Sequence, residues 1–130
     1  MIITPLYAGL LAVFFFILSI RVVAVRRRGS LGDGGDPVVL RRMRGHANFA
    51  EYVPLILLMM AFLEYQHLAS WRLHALGVTL VAARLLHGIA LSFTQKWWFG
   101  RFFGTVLTFT LLVVCGVLCV VEGLRGMGLI

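Results

Sequence analysis

The stretch Ile2–Arg28, IITPLYAGLLAVFFFILSIRVVAVRRR, decides the fold. It is apolar over most of its length, carries Arg21 as its only charge before Arg26, and stops at three consecutive arginines. An apolar run of ~20 residues matches the hydrocarbon thickness of a bilayer. The positive charges follow the run instead of preceding it, the reverse of a cleavable signal peptide, so the segment reads as a retained first helix. The rest of the chain repeats the pattern. A helix-two segment starts at Asp36-Pro37, an N-cap followed by proline at the first helical position, and becomes apolar from Phe49 to Leu63. A third apolar run covers Leu73–Phe93, and a fourth covers Phe102–Val121. Of the 130 residues, 61% are hydrophobic and 13% charged, with mean hydropathy +0.97, against roughly half and a quarter in soluble domains. The expected fold is therefore all-α and integral to a membrane: one domain, 1–130, a four-transmembrane-helix bundle with helices at about 2–27, 37–67, 71–93 and 99–123.

A net charge of +7 would suggest nucleic acid in a soluble chain, but here the cations cluster at the ends of apolar runs. Such placement sets topology, and no soluble face remains for a basic groove, so nucleic acid is not expected as a partner. Arg26, Arg27, Arg28, Arg41, Arg42 and Arg44 border the first loop, and Lys96 and Arg101 the third. Only Arg72 and Arg125 lie at the other ends, so the positive-inside rule puts both termini on the non-cytoplasmic side. Tyr65 with Trp71, and Trp97 with Trp98, suit the two interfacial aromatic belts. Cys115 and Cys119 read as apolar thiols of one helix, since a disulfide between them would be geometrically poor. No metal-ligand cluster, Walker loop or Ser-His-Asp arrangement is present, and the Gly32–Asp36 run lacks the length and downstream glutamate of an EF-hand.

Polar residues inside the apolar runs carry the functional signal, because a charge at the centre of a span costs about 3 kcal/mol or more. At 100° per residue, Arg41, Arg44, Asn48 and Glu51 fall within an arc of about 80°, with Tyr52 beside it and Pro54 one turn beyond Ala50. The stripe rises ~16 Å from Arg41 to Tyr52. Helix three adds Arg84, about half a bilayer from either end, and His87 and Leu91 on a similar face. One reading pairs Arg84 with Glu51 as a staple between helices two and three. It leaves the rest of the stripe unexplained. Several cations with one carboxylate suit a ligand of net negative charge: arginines grip carboxylates or phosphates bidentately, and a glutamate takes an ammonium. Glutathione has that character, and a cation near its thiol would favour thiolate. A phosphate headgroup also suits the arginines, so this chemistry leaves both open. His46, Glu64, His67, His74 and Glu122 read as interfacial or solvated, Arg21 as snorkelling, and Gly100-x-x-x-Gly104 with Thr108 as a small-residue packing stripe.

The run Arg41-Arg-Met-Arg44-Gly-His-Ala-Asn48-Phe-Ala-Glu51-Tyr52-Val-Pro54 resembles the second-helix motif of the membrane-associated proteins in eicosanoid and glutathione metabolism, the MAPEG family. Leu31–Pro37 and Arg84-Leu-Leu-His87 resemble its bacterial branch. The resemblance implies a homotrimer in the bacterial inner (plasma) membrane, surrounded by membrane lipids. It also implies a site between subunits near the cytoplasmic surface, glutathione as co-substrate, and a lipophilic small-molecule substrate such as an electrophile or lipid hydroperoxide. It assigns glutathione to Arg26, Arg44, Asn48, Glu51 and Tyr52, with Arg84 and His87 completing the ligand set, and thiol activation to Arg101. Leu91 and His87 stand where the transferases carry tyrosines, which keeps a non-catalytic lipid- or glutathione-binding module as the alternative. A proton-coupled exporter fits poorly, because such exporters carry an acid in helix one and this helix has none.

Overall fold

The computed structural model describes residues 2–27, 36–94 and 96–130, and the described residues form four α-helices in sequence. These are α1 (Ile3–Arg26), α2 (Pro37–Tyr65), α3 (Ser70–Ser92) and α4 (Trp98–Gly126). All four are long and apolar enough to cross a bilayer. The boundaries fall within three residues of those expected, and the expected cap forms: the Asp36 side chain accepts from the backbone N–H of Val38 at 2.7 Å, with Pro37 opening the helix. Most of the Gly/Asp-rich loop, including Arg28, lies outside the described residues.

Helices α2 and α3 form the central pair. Among the described residues α1 packs on both, α4 packs on both, and α1 and α4 do not touch. Leu18, Ile56, Met60, Leu80, Ala83 and Cys115 are fully buried where the four elements converge. The outward faces of α1 (Leu6, Leu10, Val13, Ile17, Ile20) and α4 (Phe109, Val113, Val117, Val120) stay exposed. Such rows of exposed aliphatics would drive a soluble protein to aggregate, and in a bilayer they are the lipid face.

Close approach is bought with glycine. A Cβ on Gly104 would lie 2.7 Å from the backbone N of His87 and 2.8 Å from the carbonyl O of Ala83, so α4 rests directly on the α3 main chain. Gly88 likewise receives the ring of Phe14 from α1, and Gly77 receives Tyr7. Gly100 differs: its neighbour is the Trp97 ring of the adjoining turn, so of the expected pair only Gly104 makes a helix–helix contact.

The end holding Ile2 and Glu64 contains a contact of long sequence range. The Glu64 carboxylate accepts from the backbone N–H groups of Ile3 and Thr4, each at 2.8 Å, and from that of Ile2. It thereby satisfies the free amides at the start of α1 and sits at the positive end of its dipole. Beside it, the Tyr7 hydroxyl and His74 Nδ1 are 2.8 Å apart. These residues therefore join α1 to α2 and α3, where a solvated role was expected.

Gly104→Ala is expected to lower stability by about 1–3 kcal/mol, because backbone cannot yield as a side-chain tip can. Denaturant titration of the detergent-solubilised protein checks this, with Gly116→Ala, which faces open space, as the near-neutral control.

Candidate functional site

At the arginine-rich end, α2, α3 and α4 part to leave a cleft of about 340 Å³. Its walls carry Arg41, Arg44, Ala47, Asn48 and Glu51 from α2, His87 and Leu91 from α3, and Arg101 and Thr105 from α4. Five of the eight residues expected at the site, Arg44, Asn48, Glu51, His87 and Arg101, thus meet in one space. The helical repeat explains the α2 contribution, since positions 44, 48 and 51 are three and four apart. Arg101 arrives from the first turn of α4, which Gly104 holds against α3 next to His87.

Behind the cleft wall lies Arg84, 1% exposed. Its Nη1 donates to Asn48 Oδ1 at 2.9 Å, and its Nη2 donates to the Gly104 carbonyl at 3.3 Å and to Thr108 Oγ1. Thr108 in turn donates to the Gly104 carbonyl at 2.7 Å. None of these bonds goes to Glu51, so the expected Arg84–Glu51 pair is replaced by an Arg84–Asn48 pair. Asn48 and Glu51 share one stripe of α2, and the bond fixes the Asn48 amide with its oxygen turned inward. Asn48 NH2 donors are left for the cleft. Glu51 is exposed in the single chain, as is Arg44.

His87 forms the second buried polar node. Its Nδ1 lies 3.1 Å from Thr105 Oγ1, which donates to the Arg101 carbonyl at 2.9 Å, while Nε2 is buried without a partner. Thr105 was absent from the sequence reading. The signal was present: it sits one turn after Arg101, on the same face of α4.

Besides Arg84, two expected ligand residues do not line the cleft. Tyr52 turns to α4, its ring 5.5 Å from that of Phe109. Arg26 lies toward Met43, with Nη2 at 3.7 Å from Sδ, on another face of α2. His46 is neither solvated nor in the cleft: it stacks on Phe15 at 4.5 Å and bonds Ser19 Oγ at 3.1 Å, fastening α2 to α1. Among the described residues no group of three or more His, Cys, Asp or Glu could hold a metal ion. Cys115 and Cys119 are free thiols.

The model of the MAPEG family matches residues 4–121, nearly the whole span of the four helices. The chain belongs to the MAPEG family. It is 36% identical over 87 residues to the inner membrane protein YecN of Escherichia coli strain K12, and equally to YecN of E. coli O6:H1. The matched region covers 65% of this chain and 66% of each YecN, so just under two thirds of those relatives is spanned. No solved structure matches the chain. A multi-pass integral protein of the MAPEG family, similar to a protein of the bacterial inner membrane, agrees with the spans expected from hydropathy and with the inner-membrane location the resemblance implied.

Thr108→Val keeps the shape of the side chain and removes an acceptor for a buried guanidinium. Loss of a hydrogen bond to a charged group costs about 1.5–3 kcal/mol, and the same loss in stability is expected here. Thermal unfolding in detergent reads the change, with Thr110→Val, on an exposed position of the same helix, as the comparison.

Proposed function

We propose that this MAPEG protein binds glutathione in the cleft between α2, α3 and α4 and uses it on lipophilic electrophiles or lipid hydroperoxides. The observation that carries the reading is the charge set of the cleft: Arg41, Arg44 and Arg101 surround one carboxylate, Glu51, and one amide, Asn48. Glutathione brings two carboxylates, one ammonium and a thiol. Arg44 and Arg41 suit its carboxylates, Glu51 its ammonium, and Asn48 its peptide groups. The volume of about 340 Å³ falls at the lower end of the ~300–1,000 Å³ typical of small-molecule sites.

In this reading Arg101 stands beside the thiol and stabilises its thiolate form, the nucleophilic species. The thiolate attacks an electrophilic carbon, the thioether forms, and the leaving group departs with the bonding electrons. On a hydroperoxide the same thiolate takes the distal oxygen and releases the alcohol, and a second glutathione closes the cycle as disulfide and water. The open apolar faces of α2 and α4 would admit the lipophilic partner from the bilayer, and the arginine-rich end faces the cytoplasm with both termini outside.

Arg44 and Glu51 are exposed on a helix that spans the membrane, a costly position facing lipid. A second copy packed there would cover them, which supports a homotrimer with the site shared between neighbours. Tyr52 and Arg26 would then act on a neighbour's site or on packing. A second reading has support from one observation: Leu91 lines the cleft and offers no hydrogen bond to a thiol. It describes a protein that binds glutathione or a lipid without turnover.

Calorimetry on the purified protein tests the proposal. Glutathione is expected to bind, and Arg44→Ala and Asn48→Ala to weaken it about tenfold or more, ~1.4 kcal/mol each. Arg101→Ala should retain binding but lose the thiolate absorbance of the bound ligand and the conjugation of chlorodinitrobenzene. Binding without turnover in the unsubstituted protein would favour the second reading, and no binding at all would remove both glutathione readings.

A further inference from the structure

Adjoining the cleft, with Arg41 and Leu91 shared between them, the ends of α1, α2 and α3 enclose a second recess of about 100 Å³. Its wall holds Arg21, Arg41, Arg42, Ser92, Phe93 and Thr94 among others, and no carboxylate belongs to the described residues that line it. Arg42 and Arg44 stand about 200° apart on α2, which is why one faces this recess and the other the cleft.

Part of this positive charge has a structural task. Arg21 donates through Nε and Nη2 to the Ser92 carbonyl, at 3.2 and 2.5 Å, with its guanidinium 3.7 Å from the Phe93 ring centre. Arg41 Nη1 donates to the Thr94 carbonyl at 3.1 Å, and Arg42 Nη1 to the Arg21 carbonyl at 3.2 Å. The first two satisfy the free carbonyls at the end of α3 and complement its dipole. A helix end supplies only about half a negative charge, however, and the guanidiniums of Arg21 and Arg42 together exceed it. Two polar atoms of the recess residues are also left over. Arg42 Nε and Ser92 Oγ are buried with no partner, and Ser92 is 5% exposed. Buried donors of this kind ordinarily have acceptors.

We infer that Arg21, Arg42 and Ser92 form a binding site for a phosphate ester, distinct from the cleft. A phosphate offers several acceptor oxygens and a negative charge that none of the described lining residues supplies, and arginine forks fit it bidentately. The volume accommodates a phosphate group but not a tripeptide. Phe93, 47% exposed, lines the recess, and Ile17, one turn before Arg21 on α1, is exposed as well, which offers apolar surface for acyl chains away from the charged head. An anionic phospholipid headgroup therefore meets every feature, and free phosphate meets the polar ones. The site does not depend on the glutathione reading.

Native mass spectrometry of the purified protein, titrated with phosphatidylglycerol, with phosphatidylcholine, or with inorganic phosphate, tests the inference. The unsubstituted protein is expected to retain roughly one phosphatidylglycerol per chain under activation that strips phosphatidylcholine. Retention should fall about fivefold or more in Arg42→Gln, and measurably in Ser92→Ala, whose hydroxyl has no partner in the fold and whose loss should leave folding unchanged. Displacement of the lipid by millimolar inorganic phosphate would keep the site and assign it to free phosphate. Equal retention of the two lipids without a phosphate effect, or unchanged retention in both variants, would overturn it.

Discussion

The bundle is organised around a guanidinium placed where no charge should be comfortable. Arg84 is sealed inside the protein near the middle of a membrane-spanning helix, and its hydrogen bonds reach one amide on α2 and one carbonyl and one hydroxyl on α4. Few other arrangements of three helices satisfy that group. The bonds require α4 to approach α3 within the distance that Gly104 permits, and they require Asn48 to face α3. A single expensive residue thus fixes the depth and rotation of α2 against α4, and these two set the walls of the cleft. Desolvation offsets much of what these bonds contribute to stability, and the buried cation acts instead by selecting one helix register.

The remaining polar residues of the spans divide by task. Glu64, His74 and His46 satisfy helix ends or bridge helices, and they bind α1 to the α2–α3 pair. Arg44, Glu51, Asn48 and Arg101 instead line the open cleft, and His87 beside them keeps a buried ring nitrogen without a partner. Buried polar groups that are fully occupied hold a fold together, and those with capacity to spare are where a ligand can act. The same criterion separates the two faces of α2, with Asn48 on the cleft and Arg42 at the recess near α1.

Much of this was legible in the sequence. Four spans, their ends and the Asp36 cap follow from apolar length and turn chemistry, which are local properties. The α2 stripe follows from helical periodicity, and all four of its members line the cleft, as their spacing requires. Arg84 showed as a buried cation, but its partner did not, because Glu51 and Asn48 lie less than a turn apart and opposite charge favours the wrong one. Choosing between them needs the relative height of α2 and α3, which no local pattern contains. Thr108 looked like a small residue in a packing stripe, and its hydroxyl proved to matter as much as its size. The Glu64 cap on α1 joins positions about sixty residues apart and left no trace in either segment alone.

The account rests on the cleft being open to water and shaped for a guest at Ala47, Asn48 and Glu51, although these residues sit on a helix apolar enough to span lipid. Cysteine accessibility tests that directly, using Ala47→Cys in a background with Cys115 and Cys119 replaced by alanine. A charged, membrane-impermeant thiol reagent is expected to modify Cys at 47 rapidly in the reconstituted protein, and S-methylglutathione to slow the reaction in proportion to its occupancy. A position inert to the reagent, or one that reacts equally fast with the analogue present, would contradict it.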